Sequence, residues 1–413
     1  MTTSWRRGLE PSSFLRIECA QGLDGNVKYT KRGLAVALTV LALFVLCRAQ
    51  TFGQQSSQQG EQAEIGPSIV LLEVRPGPGV ARIFLLSDLD SGLAGTVFDT
   101  PVFEFADEAG QADGVLYPDG ANHTEGELLQ PALFVCAGTH ENEIAGILAA
   151  YWLIEKSRVH GAKLFVMPRA NAAGAAWSSQ NSQSPRILQA IPGVSRTFRY
   201  GARLSNLAYE TVSDPPLFLP PNAPPGFPAL AGQEMRNLNR EYPGSTDSSM
   251  TARLAFAITS LLKTENISIA IDLHEASAGS NLAYSIVTRP EFLDEAALAV
   301  LDLEETTDKS FRLEESKPEF AGYSHWEWGK LGIHAFLVET FNPAQPSDDP
   351  AVDQFNNAKS PLAERVYAHL WAVQALMANA GVSLGISVNI EGLPASVLEV
   401  EAWLKAPLSG AAP

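Results

Sequence analysis

The chain has 413 residues, a formal net charge of −17, and 46% hydrophobic against 18% charged residues. That composition excludes wholesale disorder and is long enough to bury a large core. A surface so acidic repels phosphate backbones, and no Lys/Arg run longer than a pair occurs outside the N-terminal region, so nucleic acid is excluded as a partner.

The N-terminal region reads differently from the rest. Arg6, Arg7, Lys28, Lys31 and Arg32 precede an unbroken apolar run, LAVALTVLALFVLC at 34–47. As a helix that run rises about 21 Å, short of the ~30 Å hydrocarbon core. Basic flank, short apolar stretch and the small residue Ala49 predict a signal peptide over 1–49 and an exported protein; the alternative is a membrane anchor at 34–47. The Gln/Ser-rich stretch after it predicts a flexible linker over 50–65, followed by a main domain over 66–380 and a C-terminal extension over 381–413. Of the three cysteines, Cys19, Cys47 and Cys136, cleavage leaves only Cys136, so no internal disulfide is expected. In LFVCAG that thiol reads as a small buried strand residue.

From residue 66 the chain offers short strand-like runs, SIVLLEV, VARIFLL, TVFDTPVFEF and PALFVCAG, then helical spacing over 143–156. KLFVMP is a buried-type strand, and 171–233 is a long loop rich in Pro, Ser, Asn and Gly, of the sort that covers a site. Helix follows over 249–263, strand in SIAIDLH, helix over 291–303, strand in GIHAFLVET and helix over 363–378. After Gly381 the chain is either one more strand and a short helix or a loose tail. The alternation predicts an α/β class: a single large domain with a mixed central sheet flanked by helices.

Four segments carry chemistry. In GTHENE a strand ends at Gly138 and a helix begins near Glu143, which lets the His140 imidazole and the Glu143 carboxylate address one ion across a tight turn. In IDLHEA, Asp272 and His274 share a strand face otherwise built of apolar residues, and polar groups there need partners. Asp272 suits a hydrogen bond to a ligating imidazole, either His140 or His274. In RNLNREYPG, an Asn-Arg pair can grip a carboxylate, or its arginines are simply solvated. In FLVET, Glu339 closes an apolar strand, where desolvation suits a carboxylate to act as a base.

GTHENE, NLNREYPG, IDLHEA and LVET, in that order, together with VMPRANAAG at 166–174, resemble the succinylglutamate desuccinylase/aspartoacylase family of the zinc carboxypeptidase superfamily. The similarity spans about half the chain, residues 133–342. It implies a zinc-carboxypeptidase-like fold, one zinc per chain held by His140, Glu143 and His274, a carboxylate-binding Asn239–Arg240 pair with Arg236 close by, and Glu339 as general base. The expected activity is metal-assisted hydrolysis of an amide bond in an N-acyl amino acid or short peptide bearing a free carboxylate. An exported carboxypeptidase or esterase and a non-catalytic metal-binding receptor are the alternatives. Family members carry an arginine eight residues before the Asn-Arg arginine. Here that position is Gly232, and Arg196, Arg199, Arg203 or Arg236 would have to replace it. His325 and Tyr323 in the aromatic segment GYSHWEWG either line the pocket or are structural; His123 and His160 read as solvated, and His334 and His369 as packing residues.

Overall fold

The computed structural model describes residues 64–106, 131–178 and 185–408, so the signal or anchor segment, nearly all of the 50–65 linker, and His123 lie outside the described residues. In chain order the main elements are α1 (Gly66–Leu71), β1 (Val80–Leu85), β2 (Pro101–Phe105), β3 (Ala132–Ala137), α2 (Ile144–Lys156), β4 (Arg158–His160) and β5 (Lys163–Met167). Next come β6 (Arg186–Gln189), β7 (Thr197–Tyr200), β8 (Leu217–Phe218), β9 (Leu230–Ala231), α3 (Met250–Thr264), β10 (Ile267–Ser277) and β11 (Ser285–Thr288). The remainder is α4 (Leu293–Thr307), β12 (Arg312–Glu315), α5 (Ser324–Gly329), β13 (His334–Asn342), α6 (Leu362–Leu384), β14 (Asn389–Glu391) and α7 (Val397–Lys405).

Eight strands form one mixed sheet in the order β1-β2-β5-β3-β10-β13-β11-β12. Its centre, β5-β3-β10-β13, is parallel, and β1, β2 and β11 pair antiparallel with their inner neighbours. Period-2 alternation assigns the two faces. Leu133, Val135, Ile269, Ile271, Phe336 and Val338 pack in the core that holds α2, α4, α6 and α7. Phe134, Cys136, Ala270 and Ala335 point the other way, against α3 and Trp328 of α5. At ~1.5–3 kcal/mol for each large apolar side chain removed from water, these two layers dominate stability. The mixed sheet flanked by helices is the architecture the sequence predicts.

Local chemistry explains the ends. Ser249 caps α3 by accepting a hydrogen bond from Ala252 N at 3.0 Å. Helix α6 runs past its expected end to Leu384 and stops at Gly385, whose φ of +71° suits glycine. The expected strand SIVLLEV is instead the short helix α1: Pro67 sits in its first turn, and Ile69 and Val70 bury one side. The run 96–105 forms a strand only from Pro101. Strands β11 and β12 were not legible, being four residues each, and RLEE of β12 lacks an apolar alternation. The long loop 171–233 contains two small antiparallel pairs, β6/β7 and β8/β9. After Gly381 the chain forms a strand and a helix: β14 pairs with β4, and Val400, Trp403 and Leu404 enter the core. Among the described residues no helix is long and apolar enough to cross a membrane.

Candidate metal centre

The site lies at the carboxyl ends of the parallel strands, where open α/β sheets place their ligands. After β3 the chain turns at Gly138 with φ +70°, and a Cβ there would lie 2.8 Å from Arg169 Cα, so a side chain has neither the dihedral nor the room. The turn is then pinned on both sides. Its backbone pairs with the segment after β7 through Glu141 N→Ala202 O (3.1 Å) and Gly201 N→Glu141 O (2.9 Å). Thr139 Oγ1 donates to Asp272 Oδ1 at 3.0 Å.

Turn and strand bring three ligand-type side chains together. His140 Nδ1 lies 2.7 Å from Glu143 Oε1, and His274 Nδ1 lies 2.8 Å from Glu143 Oε2. One ligand-type atom from each of the three fits within a 4.8 Å group, all buried. Both rings therefore turn the same nitrogen to a shared point. The opposite nitrogens face oxygens. His140 Nε2 is 2.9 Å from Asn237 Oδ1, whose orientation is fixed because that oxygen accepts Asn239 N and Asn237 Nδ2 donates to Glu234. An oxygen acceptor requires Nε2–H, which leaves the Nδ1 lone pair free for a cation. His274 Nε2 lies 2.9 Å from Asp272 Oδ2, close enough for charge pairing though off the line of a hydrogen bond. Asp272 thus partners His274, one of the two partners left open by the sequence, and is held there by Thr139 and by Ser324 Oγ at 2.6 Å.

The electrostatics suit a cation. Burial, with Arg203 adding to it, pulls His140 down to about 4, so its imidazole stays neutral and able to donate a lone pair. Burial also acts to pull His274 down, but the Asp272 and Glu143 carboxylates overcome it and raise its proton affinity well above the ordinary histidine value. Glu143 is desolvated too, yet the two imidazoles hold it ionised, below the usual carboxylate range. Two imidazole nitrogens and a carboxylate, buried and convergent, are a donor set that fits a divalent ion.

Glu339 stands beside this cluster. In the parallel pairing of β10 with β13 it is level with His274, on the same sheet face as Asp272 and His274. Its Oε2 is buried with no hydrogen-bond partner. Burial, then repulsion from Glu143, pushes its carboxyl up to about 8.

The sequence-predicted substrate residues separate into two groups. Asn239 and Arg240 occupy the loop before α3. Asn239 Oδ1 accepts Ser324 N at 2.8 Å, so only its NH2 is left for a ligand. Arg240 donates to Asn239 O at 2.8 Å, stacks over Tyr323 at 4.0 Å from the ring centroid, and has Glu234 Oε2 3.8 Å from its Nε. Arg236 does not belong with them. Its guanidinium forks onto Asp214 at 2.8 and 3.1 Å and also donates to Ser205 O, so its donors are taken up away from the Asn239–Arg240 pair. Arg196 pairs with Glu155 and Arg199 with Glu64. The arginine at the cluster is Arg203, whose Nη1 lies 3.4 Å from His140 Nδ1 and 3.6 Å from Glu143 Oε1 with the side chain 40% exposed.

Among the described residues the other histidines have local partners: His325 with Ser316, His369 with Thr340, His334 with Glu295 and His160 with Glu391. Cys136 is buried in β3, as expected. The role of Asn237 was missed, because nothing in the local sequence links it to a histidine 97 positions away.

No family model matches the sequence, and a search of the curated proteins finds no relative. Solved structures are similar at low identity. The cell shape determinant Csd4 of Helicobacter pylori, described as a D,L-carboxypeptidase, is 14% identical over 66% of this chain with a TM-score of 0.42. This chain spans only 55% of that protein's length. A metallo-carboxypeptidase of Burkholderia cenocepacia is 12% identical, covering 74% of this chain and 66% of that one, with a TM-score of 0.41. An aspartoacylase family protein of Mesorhizobium loti is 17% identical, covering 70% and 62%, with a TM-score of 0.33.

Proposed function

We propose that this protein is a zinc-dependent hydrolase that cleaves an amide bond in a substrate bearing a free carboxylate, an N-acyl amino acid or a short peptide. The observation that carries this reading is the convergence of His140 Nδ1, His274 Nδ1 and the Glu143 carboxylate at one buried point, with Glu339 on the adjacent strand, its Oε2 buried and without a partner. His140, Glu143 and His274 would hold one ion. Such an ion supplies Lewis acidity and brings the acidity of water towards pH ~7.

The chain's own residues do the rest. Glu339 takes a proton from the attacking water and returns it to the leaving nitrogen, a role its raised proton affinity supports. Arg203, aimed at the same point from the loop after β7, offers a fixed positive charge to the scissile carbonyl oxygen as it gains charge. Arg240 and the Asn239 NH2 take the substrate carboxylate, with Tyr323 fixing the plane of the guanidinium. Parallel assays of acyl amino acids, short peptides and esters separate an amidohydrolase from a carboxypeptidase or an esterase on the same site. Metal and substrate binding with no turnover of any of these would instead make the protein a receptor.

The test of the ligand set is metal content. The purified protein is expected to hold about one zinc per chain, and His274→Ala to lose most of it while keeping its far-UV spectrum. Stoichiometric zinc in His274→Ala, or in Glu143→Ala, would reject the assignment. We propose export as well: the mature protein should begin near Gln50, and an intact N-terminus in a salt-washed membrane pellet would favour an anchor at 34–47.

A further inference from the structure

Three segments meet at the metal centre: the 138–143 turn with two of the proposed ligands, the end of β7 leading to Arg203, and the loop after β13, the strand that carries Glu339. Nothing in their sequence separation of up to about 200 residues holds them in register. The side chain that joins them is Asp348. Its carboxylate accepts both oxygens' worth of contact from Asn142 Nδ2, at 2.9 Å each, and Asn142 lies between His140 and Glu143. Oδ1 also accepts Tyr200 OH at 3.2 Å, three residues before Arg203, and Gln345 Nε2 at 2.9 Å from its own loop. A second bond, Asn342 Nδ2→Asn142 O at 2.9 Å from the last residue of β13, ties the backbone of the turn.

We infer that Asp348 is the positioning residue of the metal centre, acting through Asn142 to set the spacing of the proposed ligands and through Tyr200 to set the segment that bears Arg203. Two further features point the same way. Asp348 holds a φ of +53°, a left-handed conformation that costs a non-glycine residue energy and persists where surrounding contacts over-determine it. Asn142 is 1% exposed, so loss of the Asp348 acceptor strands a buried NH2 in the turn rather than handing it to water. Since Asp348 touches no proposed ligand, its effect is on geometry, and geometry at a three-ligand site is read out as metal affinity.

The inference rests on the assignment of His140, Glu143 and His274 as ligands, and the experiment keeps the two apart. Zinc affinity is measured by competition with a chromophoric chelator for the full-length wild type, Asp348→Asn, Asn142→Asp and the double variant, beside the melting temperature of each metal-free protein. In Asp348→Asn, Asn142 Nδ2 meets an NH2 in place of one of its two acceptor oxygens, and Asn142→Asp sets two carboxylates face to face. Each single change is expected to weaken zinc binding ~10-fold, the low end of the effect of losing a side chain that bonds a ligand directly, since Asp348 acts one contact further out. The double variant exchanges donor and acceptor, conserves charge, and should return to within about threefold of wild type, a coupling that a merely structural contribution would not give. Tyr200→Phe, the mild change, should give a smaller loss in the same direction even where a single variant fails to fold. Asp348→Asn with wild-type zinc affinity, or a double variant as weak as the singles, overturns the inference while leaving the ligand assignment standing. A wild type that binds no zinc overturns both.

Discussion

Glu339→Gln is expected to keep zinc and substrate binding and to lose ~10²–10⁴-fold in turnover, the usual contribution of a positioned acid–base group. The substitution is nearly isosteric and removes only the ability to accept a proton. At Oε2, which is buried without a partner, Glu339 has no hydrogen bond to lose. Level with His274 on the neighbouring strand, it is not needed as a ligand once His140, Glu143 and His274 close the site. Loss of zinc in this variant would recast Glu339 as a ligand, and unchanged turnover would remove the base from the mechanism.

The same carboxyl makes a prediction about pH that needs no substrate. Burial and Glu143 raise it from 4.5 to about 8 in the folded protein. A raised carboxyl means the folded chain binds this proton more tightly than the unfolded chain does. Its contribution to stability is therefore present below pH ~4.5 and lost as pH rises through about 8. Metal-free wild type should accordingly lose stability over that window relative to metal-free Glu339→Gln, as read by urea denaturation at pH 5 and pH 8. Parallel curves at the two pH values would mean that Glu339 is solvated rather than desolvated.

How much of this was legible before folding depends on the range of the interaction. The spacing of the proposed ligands is local: His140 and Glu143 sit across one turn, and Asp272 and His274 share a strand face by alternation, while the ligand roles themselves come from the resemblance. The partner of Glu339 in the sheet is not local. That it stands level with His274 follows from the parallel register of β10 and β13, which no single-strand pattern specifies. The arginines make the contrast sharper. Arg236 lies one residue from Asn237 and looked like part of the substrate site, yet Asp214, 22 positions away, holds it elsewhere. Arg203 was one of four arginines, with Arg196, Arg199 and Arg236, among which the sequence does not choose. It reaches His140 because Gly201 packs where a Cβ would lie 2.4 Å from Gly174 O and 2.6 Å from Glu141 Cβ, a fit visible only once three segments are assembled.

The second large effect is expected at Arg169, which touches no ligand. Its guanidinium is fully buried and pairs with Glu73 Oε2 at 2.7 Å and with Glu141, while Nε donates to Tyr151 OH at 2.8 Å. One cation thus serves two buried carboxylates, and Glu141 belongs to the turn that carries the proposed ligands. Arg169→Met preserves much of the volume but leaves both carboxyls desolvated with no positive partner. Removing one member of a buried ion pair costs ~3–5 kcal/mol, far more than the pair adds over apolar residues of the same shape. That is a large share of the ~5–15 kcal/mol stability of an ordinary domain. Adding Glu141→Gln to Arg169→Met removes one of the stranded charges and should recover part of the loss, because the two sites share a contact and cannot be additive. Urea denaturation of the metal-free proteins reads both effects. A loss under ~1 kcal/mol in Arg169→Met would mean that water reaches this network and that the turn at His140 is held by its other contacts, the backbone pairing to Gly201 and Ala202 among them.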